Sequence, residues 1–488
     1  MGCWLLQCST VGAQIPPNLA RAYEEATKLR ISVARQYVAK EKNNKAPIAS
    51  AFGVYVENYA DMVTLLVSDD AQLFAQLGSR QDQRLELLNE LPDTSPYQRF
   101  LKAEIRLHWA FVKMKFGKEA GASWDIIKAY KLLDENARLF PDFVSTYKSL
   151  GLLHVLIGSA PQNYQWVAKI LGLRGNIQQG LREVNLVIQK DSLFKTEAQL
   201  IDILLHAYVL KYTEKQNNIL KQLLENESDN LLLHFFGVTV SMKDGRGQQA
   251  LDFLEKRPVS PTYLAFPFLE YLKGEILLQK GEYAAAEAQL NRFLGQYKGQ
   301  NFVKDTYWKL FLCRWLTNDD AAARLYIQKV LATGQTVVES DKAAQQFAQN
   351  FGAGRVNIAQ KALLKARLAF DGGYLESALQ TLKPLSESQF ATPRDRAEFN
   401  YRLGRVHQRR GELEAAIPRF ERAIALSVPE HFYFGATSAL QMGYICQIKN
   451  QKNKAVTYFE QALNYPKHEY KNSTDNKARA ALTEMGAK

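Results

Sequence analysis

Residues 400–429 read NYRLGRVHQRRGELEAAIPRFERAIALSVP, and this stretch decides the fold. A first helix carries Leu403-Gly404 and runs past His407 into the turn at Gly411; a second brings Ala416, Phe420 and Ala423 to one side and stops before Pro429. A small residue such as Gly404 or Ala416 lets two antiparallel helices approach closely, while an aromatic such as Phe420 fills the gap against the next pair. The same grammar returns as Ala439, Met442, Gly443, Cys446, Ala455, Phe459 and Ala462, with Pro466 following.

Working outward, Ala378 marks a third such pair and Ala250, Ala286 and Ala322 mark earlier ones, spaced about 36 residues apart against about 34 for a tetratricopeptide repeat. The pattern resembles that repeat family. The resemblance implies an all-α fold, a right-handed superhelical solenoid of helix-turn-helix pairs that binds other molecules and seldom catalyses. Sustained period-two alternation is missing, so almost the whole chain is expected to be helical. A final helix from about Lys477 to Met485 has the place of a cap, its charged face shielding the last apolar edge.

The N-terminal section is less regular. Residues 18–41 and 47–78 predict amphipathic helices divided by Asn43, Asn44 and Pro47, and Tyr97–Phe116 with Ser123–Phe140 predicts a long hairpin turning at Gly117 and Gly121. Tyr147, Leu150, Gly151 and His154 open another repeat whose second helix does not arrive on schedule. A Pro turn, a short helix with Trp166 and a Gly-rich bend intervene before a helix over 176–189. That order resembles a segment of the eukaryotic inclusion-body clearance family. The chain thus divides into 1–14, a truncated export signal; 15–190, irregular helices with hairpins; 191–332, helical pairs; 333–360, a polar connection or irregular helix; and 361–488, clear repeats with the cap.

With 47% hydrophobic and 23% charged residues the chain buries a core and is not globally disordered. Its net charge is +12, most of it beyond residue 250, which favours acidic partners; runs of Lys and Arg interleaved with aromatics, as nucleic-acid readers carry, are absent. No run of 18 apolar residues spans a membrane. Cys3, Cys8, Cys313 and Cys446 form no CxxC or Cys/His cluster, so neither a metal site nor a disulfide framework is expected. Residues 1–14 end in Val11-Gly12-Ala13 before Gln14, the small-residue ending that signal peptidase cuts. An exported protein of the periplasm or cell envelope is the reading, similar to exported repeat proteins of Gram-negative bacteria; a cytoplasmic chain is the alternative.

Catalytic signatures do not appear. The seven His are scattered, with no HExxH pair, no GxSxG elbow and no phosphate loop, so no enzyme and no cofactor are expected. Aligning Gly404 with the repeat places Tyr401, Arg402, Arg405, Gln408 and Arg409 on the ligand-facing surface; the preceding pair adds Arg367 and the following one Gln441, Tyr444 and Gln447. Arg402, Arg405 and Arg409 share one helix face, and planar guanidinium groups suit carboxylates through paired hydrogen bonds. The expectation is a non-enzymatic scaffold binding an acidic or C-terminal peptide segment in a basic groove, set against an ordinary solvated face paired with Glu398, Glu412 and Glu414. The rival readings are a carrier enclosing a small or lipidic ligand near Trp109, Trp124, Tyr164 and Trp166, and a hydrolase with a dispersed site.

Overall fold

The computed structural model describes residues 15–160, 170–354 and 359–486. The leader expected over 1–14, with Cys3 and Cys8, and the stretch holding Tyr164 and Trp166 lie outside them. Among the described residues the ordered elements are helices and turns, with no strand and no helix long and apolar enough to cross a membrane.

Helix α1 (Pro17–Thr27) starts on a proline, which costs nothing where the N–H has no intrahelical partner. It turns through the left-handed, fully buried Leu29 into α2 (Ile31–Lys40). The next helix, α3 (Pro47–Ser68), is apolar almost all round, as a helix enclosed by neighbours must be; Phe52, Tyr55, Val56 and Val63 are all buried. Short helices α4 (Ala71–Leu77) and α5 (Arg80–Leu87) lead into the long hairpin α6 (Pro96–Lys115) and α7 (Glu119–Leu139). The delayed pair also forms: α8 (Thr146–Gly158) meets α9 (Ile177–Lys190) across Gly151 and Gly180, so closely that a Cβ on Gly180 would sit 2.4 Å from the Gly151 carbonyl oxygen.

Hairpins then stack in order: α10 (Lys195–Tyr208) with α11 (Glu214–Asn226), α12 (Leu231–Lys243) with α13 (Gly247–Glu255), α14 (Phe268–Lys280) with α15 (Tyr283–Gln296), and α16 (Val303–Trp315) with α17 (Asp320–Ala332). Ala250 and Ala286 are fully buried between their helices. In the third pair the buried residue is Ala323, one position beyond the expected Ala322. Asp319 caps α17 by accepting the Ala322 N–H at 3.1 Å, and the inward face then runs Ala323, Ile327, Val330.

Within the stretch that reads as polar, α18 (Glu339–Gly352) is a regular helix. Ala344, Phe347, Ala348 and Phe351 recur at helical spacing, and both phenyl rings pack on Phe311, at 5.6 and 4.9 Å between centroids. The repeats resume with α19 (Ala359–Asp371) and α20 (Leu375–Leu382), then α21 (Pro393–Arg409) with α22 (Leu413–Ser427), α23 (Tyr433–Ile448) with α24 (Lys452–Leu463), and the cap α25 (Lys471–Glu484).

Two long-range contacts turn this row of hairpins into one body. The N-terminal helices dock on the middle of the array: Leu264 N–H donates to Leu29 O at 2.8 Å, Lys28 reaches Asp229 at 3.0 Å, and Asp69 accepts from Tyr297 Oη and Asn301 Nδ2 at 2.7 and 3.1 Å. One large apolar core therefore runs from Leu19 to Ala348 beside a separate cluster among α10, α11 and α12, while the C-terminal repeats hold only smaller separate clusters. In addition, α19 packs on α14, and the Gly247 N–H donates to Gly372 O at 2.9 Å.

Candidate functional site

The site grows from the contact that Gly404 permits. A Cβ there would lie 2.9 Å from the Phe420 ring, so only glycine lets α21 and α22 approach this far, and the residues flanking it turn toward α19 and α23. Tyr401, Arg402 and Arg405 line a recess of about 190 Å³ with Ala366, Phe370, Asp371 and Val406. Beside it, Arg367 and Arg402 line a second recess of about 220 Å³ with Trp315, Phe347, Arg394 and Tyr433.

The three aligned arginines have different fates. Arg402 is only 12% exposed and is held by Glu398, with Nε 2.7 Å from Oε1. Arg409 lies over the far side of the Phe370 recess wall, 5.6 Å from the ring centre, and its guanidinium donates to the carbonyls of Asp244 and Gly245, at 2.8 and 3.2 Å, bracing α21 against the α12–α13 turn. Burial, partly offset by Asp244 and aggravated by neighbouring Arg405, holds its pKa below the ordinary arginine value.

Arg405 is held differently. Its Nη1 donates to Tyr401 Oη at 3.1 Å, and its plane lies 5.1 Å from the Phe370 ring centre. Among the described residues no carboxylate lies within ion-pair distance of it, and its buried Nε has no partner. The half-exposed Arg367 is answered by Asp371 at 3.5 Å. Gln408, Gln441, Tyr444 and Gln447 line neither recess; Tyr444 packs edge-on against Phe459 at 5.3 Å.

Several lining residues carry no repeat signature. Phe347 belongs to α18, and Arg394, which reaches Glu469 at 3.5 Å, lies a full turn and more before the Gly404 motif. The helical spacing of Phe347 and Phe351 was the available signal for the former.

Of the aromatic residues named for the rival pocket, Trp109 and Trp124 lie among the described residues. Trp109 is in the core, donating to Asn58 Oδ1 at 2.9 Å, while Trp124 is 59% exposed with Lys128 over its ring. A large opening lies elsewhere, a cleft of about 1510 Å³ between α1 and the α10–α12 region. A buried charged cluster closes its base: Lys148 sits between Glu104 at 2.6 Å and Glu197 at 2.9 Å, and Glu197 also accepts from Tyr23.

With this geometry in place, comparison with known proteins is specific over the C-terminal pairs. The tetratricopeptide-repeat model matches residues 395–467, which span α21 to α24. Residues 395–467 carry tetratricopeptide repeats. Solved repeat structures similar to it include a monomeric IFIT1 mutant with Gppp-AAAA, at 13% identity over 92% of this chain and 95% of that one, with a TM-score of 0.31. Another is the Cut9–Hcn1 hetero-tetramer of APC/C, at 13% identity over 94% and 95%, with a TM-score of 0.22. No curated protein matches the sequence. Repeats of this kind are protein-interaction scaffolds.

Proposed function

We propose that the inner face of the C-terminal repeats is a peptide-binding groove in which Arg405 receives a carboxylate, either an acidic side chain or a chain terminus. The observation that carries this reading is the unanswered guanidinium: in a row where Glu398 occupies Arg402 and backbone carbonyls occupy Arg409, Arg405 keeps a buried, partnerless Nε at the wall of a recess. A buried charged donor without an acceptor is costly, and a ligand carboxylate relieves that cost. Phe370 and Tyr401 supply flat apolar walls for the neighbouring residue of the peptide.

The test is fluorescence anisotropy with labelled acidic peptides bearing either a free or an amidated C-terminus. Arg405→Gln keeps a hydrogen-bonding side chain but removes the charge, and it is expected to weaken acidic-peptide binding by about tenfold or more. Equal affinity of the variant, with an unchanged far-UV spectrum, overturns the groove.

A further inference from the structure

The cleft beside α1 has the opposite electrostatic character. Its walls are α1, the Phe140–Ser145 turn, the start of α10 and the α11–α12 junction, with Tyr59 and Phe194 in the floor. Five carboxylates line it (Glu24, Asp191, Glu197, Glu227 and Asp229) against two cations, Arg21 and Lys28. That excess of acid stands in a chain whose net charge is +12.

The partners of these acids decide which are available. Glu24 and Asp229 are neutralised by Arg21, Lys28 and Arg30, and Glu197 by Lys148. Asp191 and Glu227 differ. Asp191 accepts from Ser145 Oγ at 2.6 Å and from the N–H groups of Leu193 and Phe194, while Glu227 accepts from Thr196 Oγ1 and Asn230 Nδ2 at 2.5 and 3.0 Å. Among the described residues neither has a Lys, Arg or His within ion-pair distance. Both carboxylates are thus fixed in position by neutral donors with their charge uncompensated, which is the preorganised arrangement a cation requires. Beside them Tyr97 and Phe143 pair edge-on at 4.7 Å, offering ring surface to the alkyl stem and charged head of a Lys or Arg.

Size narrows the occupant. Small-ligand pockets run to about 1,000 Å³, and this cleft exceeds that. We infer that the N-terminal cleft binds a basic peptide segment, one that places Lys or Arg side chains on Asp191 and Glu227 and apolar side chains on the aromatic floor. The protein then has two binding faces of opposite charge preference, one on the C-terminal repeats and one on the N-terminal helices.

The test uses the full chain and benzophenone-bearing synthetic peptide pools of net charge +3, 0 and −3, photo-crosslinked and mapped by mass spectrometry. The basic pool is expected to crosslink to 140–145, 191–197 and 226–233, and to lose about tenfold in yield in Asp191→Asn/Glu227→Gln. Each replacement keeps one accepting oxygen, for the Leu193 and Phe194 N–H groups and for Asn230, and turns an amide NH2 toward the Ser145 and Thr196 hydroxyls, whose oxygens accept it. Raised salt weakens the wild-type crosslink as well, a readout that needs no variant. Arg405→Gln leaves it unchanged, so failure of the groove and failure of the cleft are told apart. Equal labelling by all three pools, labelling outside the cleft, crosslinks between two copies of this chain, or a folded double variant that binds as before would each overturn the inference.

Discussion

His108 shows how a single side chain is set by its surroundings. Asn58 Oδ1 already accepts from Trp109 Nε1 and Arg84 Nη1, at 2.9 and 3.1 Å, so its amide nitrogen is the donor to His108 Nδ1 at 2.9 Å. The imidazole is therefore assigned as neutral with its proton on Nε2. Burial, with Lys148 and Arg84 nearby, pushes its pKa well below the ordinary 6.5. The sign follows from linkage. The unfolded chain binds this proton first, so the stability His108 contributes is present above about pH 6.5 and is lost as the pH falls below it. His108→Gln is expected to flatten that part of the profile: the urea midpoint of the variant should fall less than that of the wild type between about pH 7.5 and 5. Parallel profiles would remove the assignment. Nothing in the spacing of His108 announced this, because its partners come from α3, α5 and α8. By contrast Gly404 and Gly443 were legible, since each needs only a neighbour one helix away, and a Cβ on Gly443 would come within 2.4 Å of the Phe459 ring.

The element most dependent on a distant partner is α21. Its sequence places Arg409 in line with Arg402 and Arg405, yet the turn between α12 and α13 takes the guanidinium. A Cβ on Gly373 would lie 1.9 Å from Gly245 O, so the two turns meet backbone to backbone. Arg409→Ala is expected to cost about 1 kcal/mol and to speed amide exchange at Arg246 and Gly247, while the α21–α22 contact around Phe420 stays protected. Unchanged exchange in that turn would mean that the glycine contact alone holds it. The polar stretch before α19 teaches the complementary lesson. Its four inward positions make α18 a helix only because Phe311 and Trp315 offer a surface, with Trp315 5.9 Å from Phe351. An element without a hairpin partner is hard to read from repeat grammar.

For the whole molecule, the division of the core predicts the order of unfolding. Most buried apolar residues of 19–348 share one cluster tied by contacts more than 200 positions apart, with a smaller one among α10, α11 and α12, whereas 363–485 hold only small clusters between adjacent helices. Repeat arrays lose stability locally, and their ends fray first. In rising urea, amides of α22 to α25 are therefore expected to exchange before those of α3, α6 and α16, as hydrogen-exchange mass spectrometry would register; simultaneous exchange would show a single cooperative unit. The sequence alone determined the helical class, the pairing of neighbours and the small residues at which they touch, because helical periodicity and nearest-neighbour packing are short-range. Only the tertiary structure decided that Arg402 and Arg409 are already occupied, that the N-terminal helices dock on the middle pairs, and that their docking leaves an acidic cleft. Those outcomes depend on groups brought together from remote parts of the chain, which no local spacing encodes.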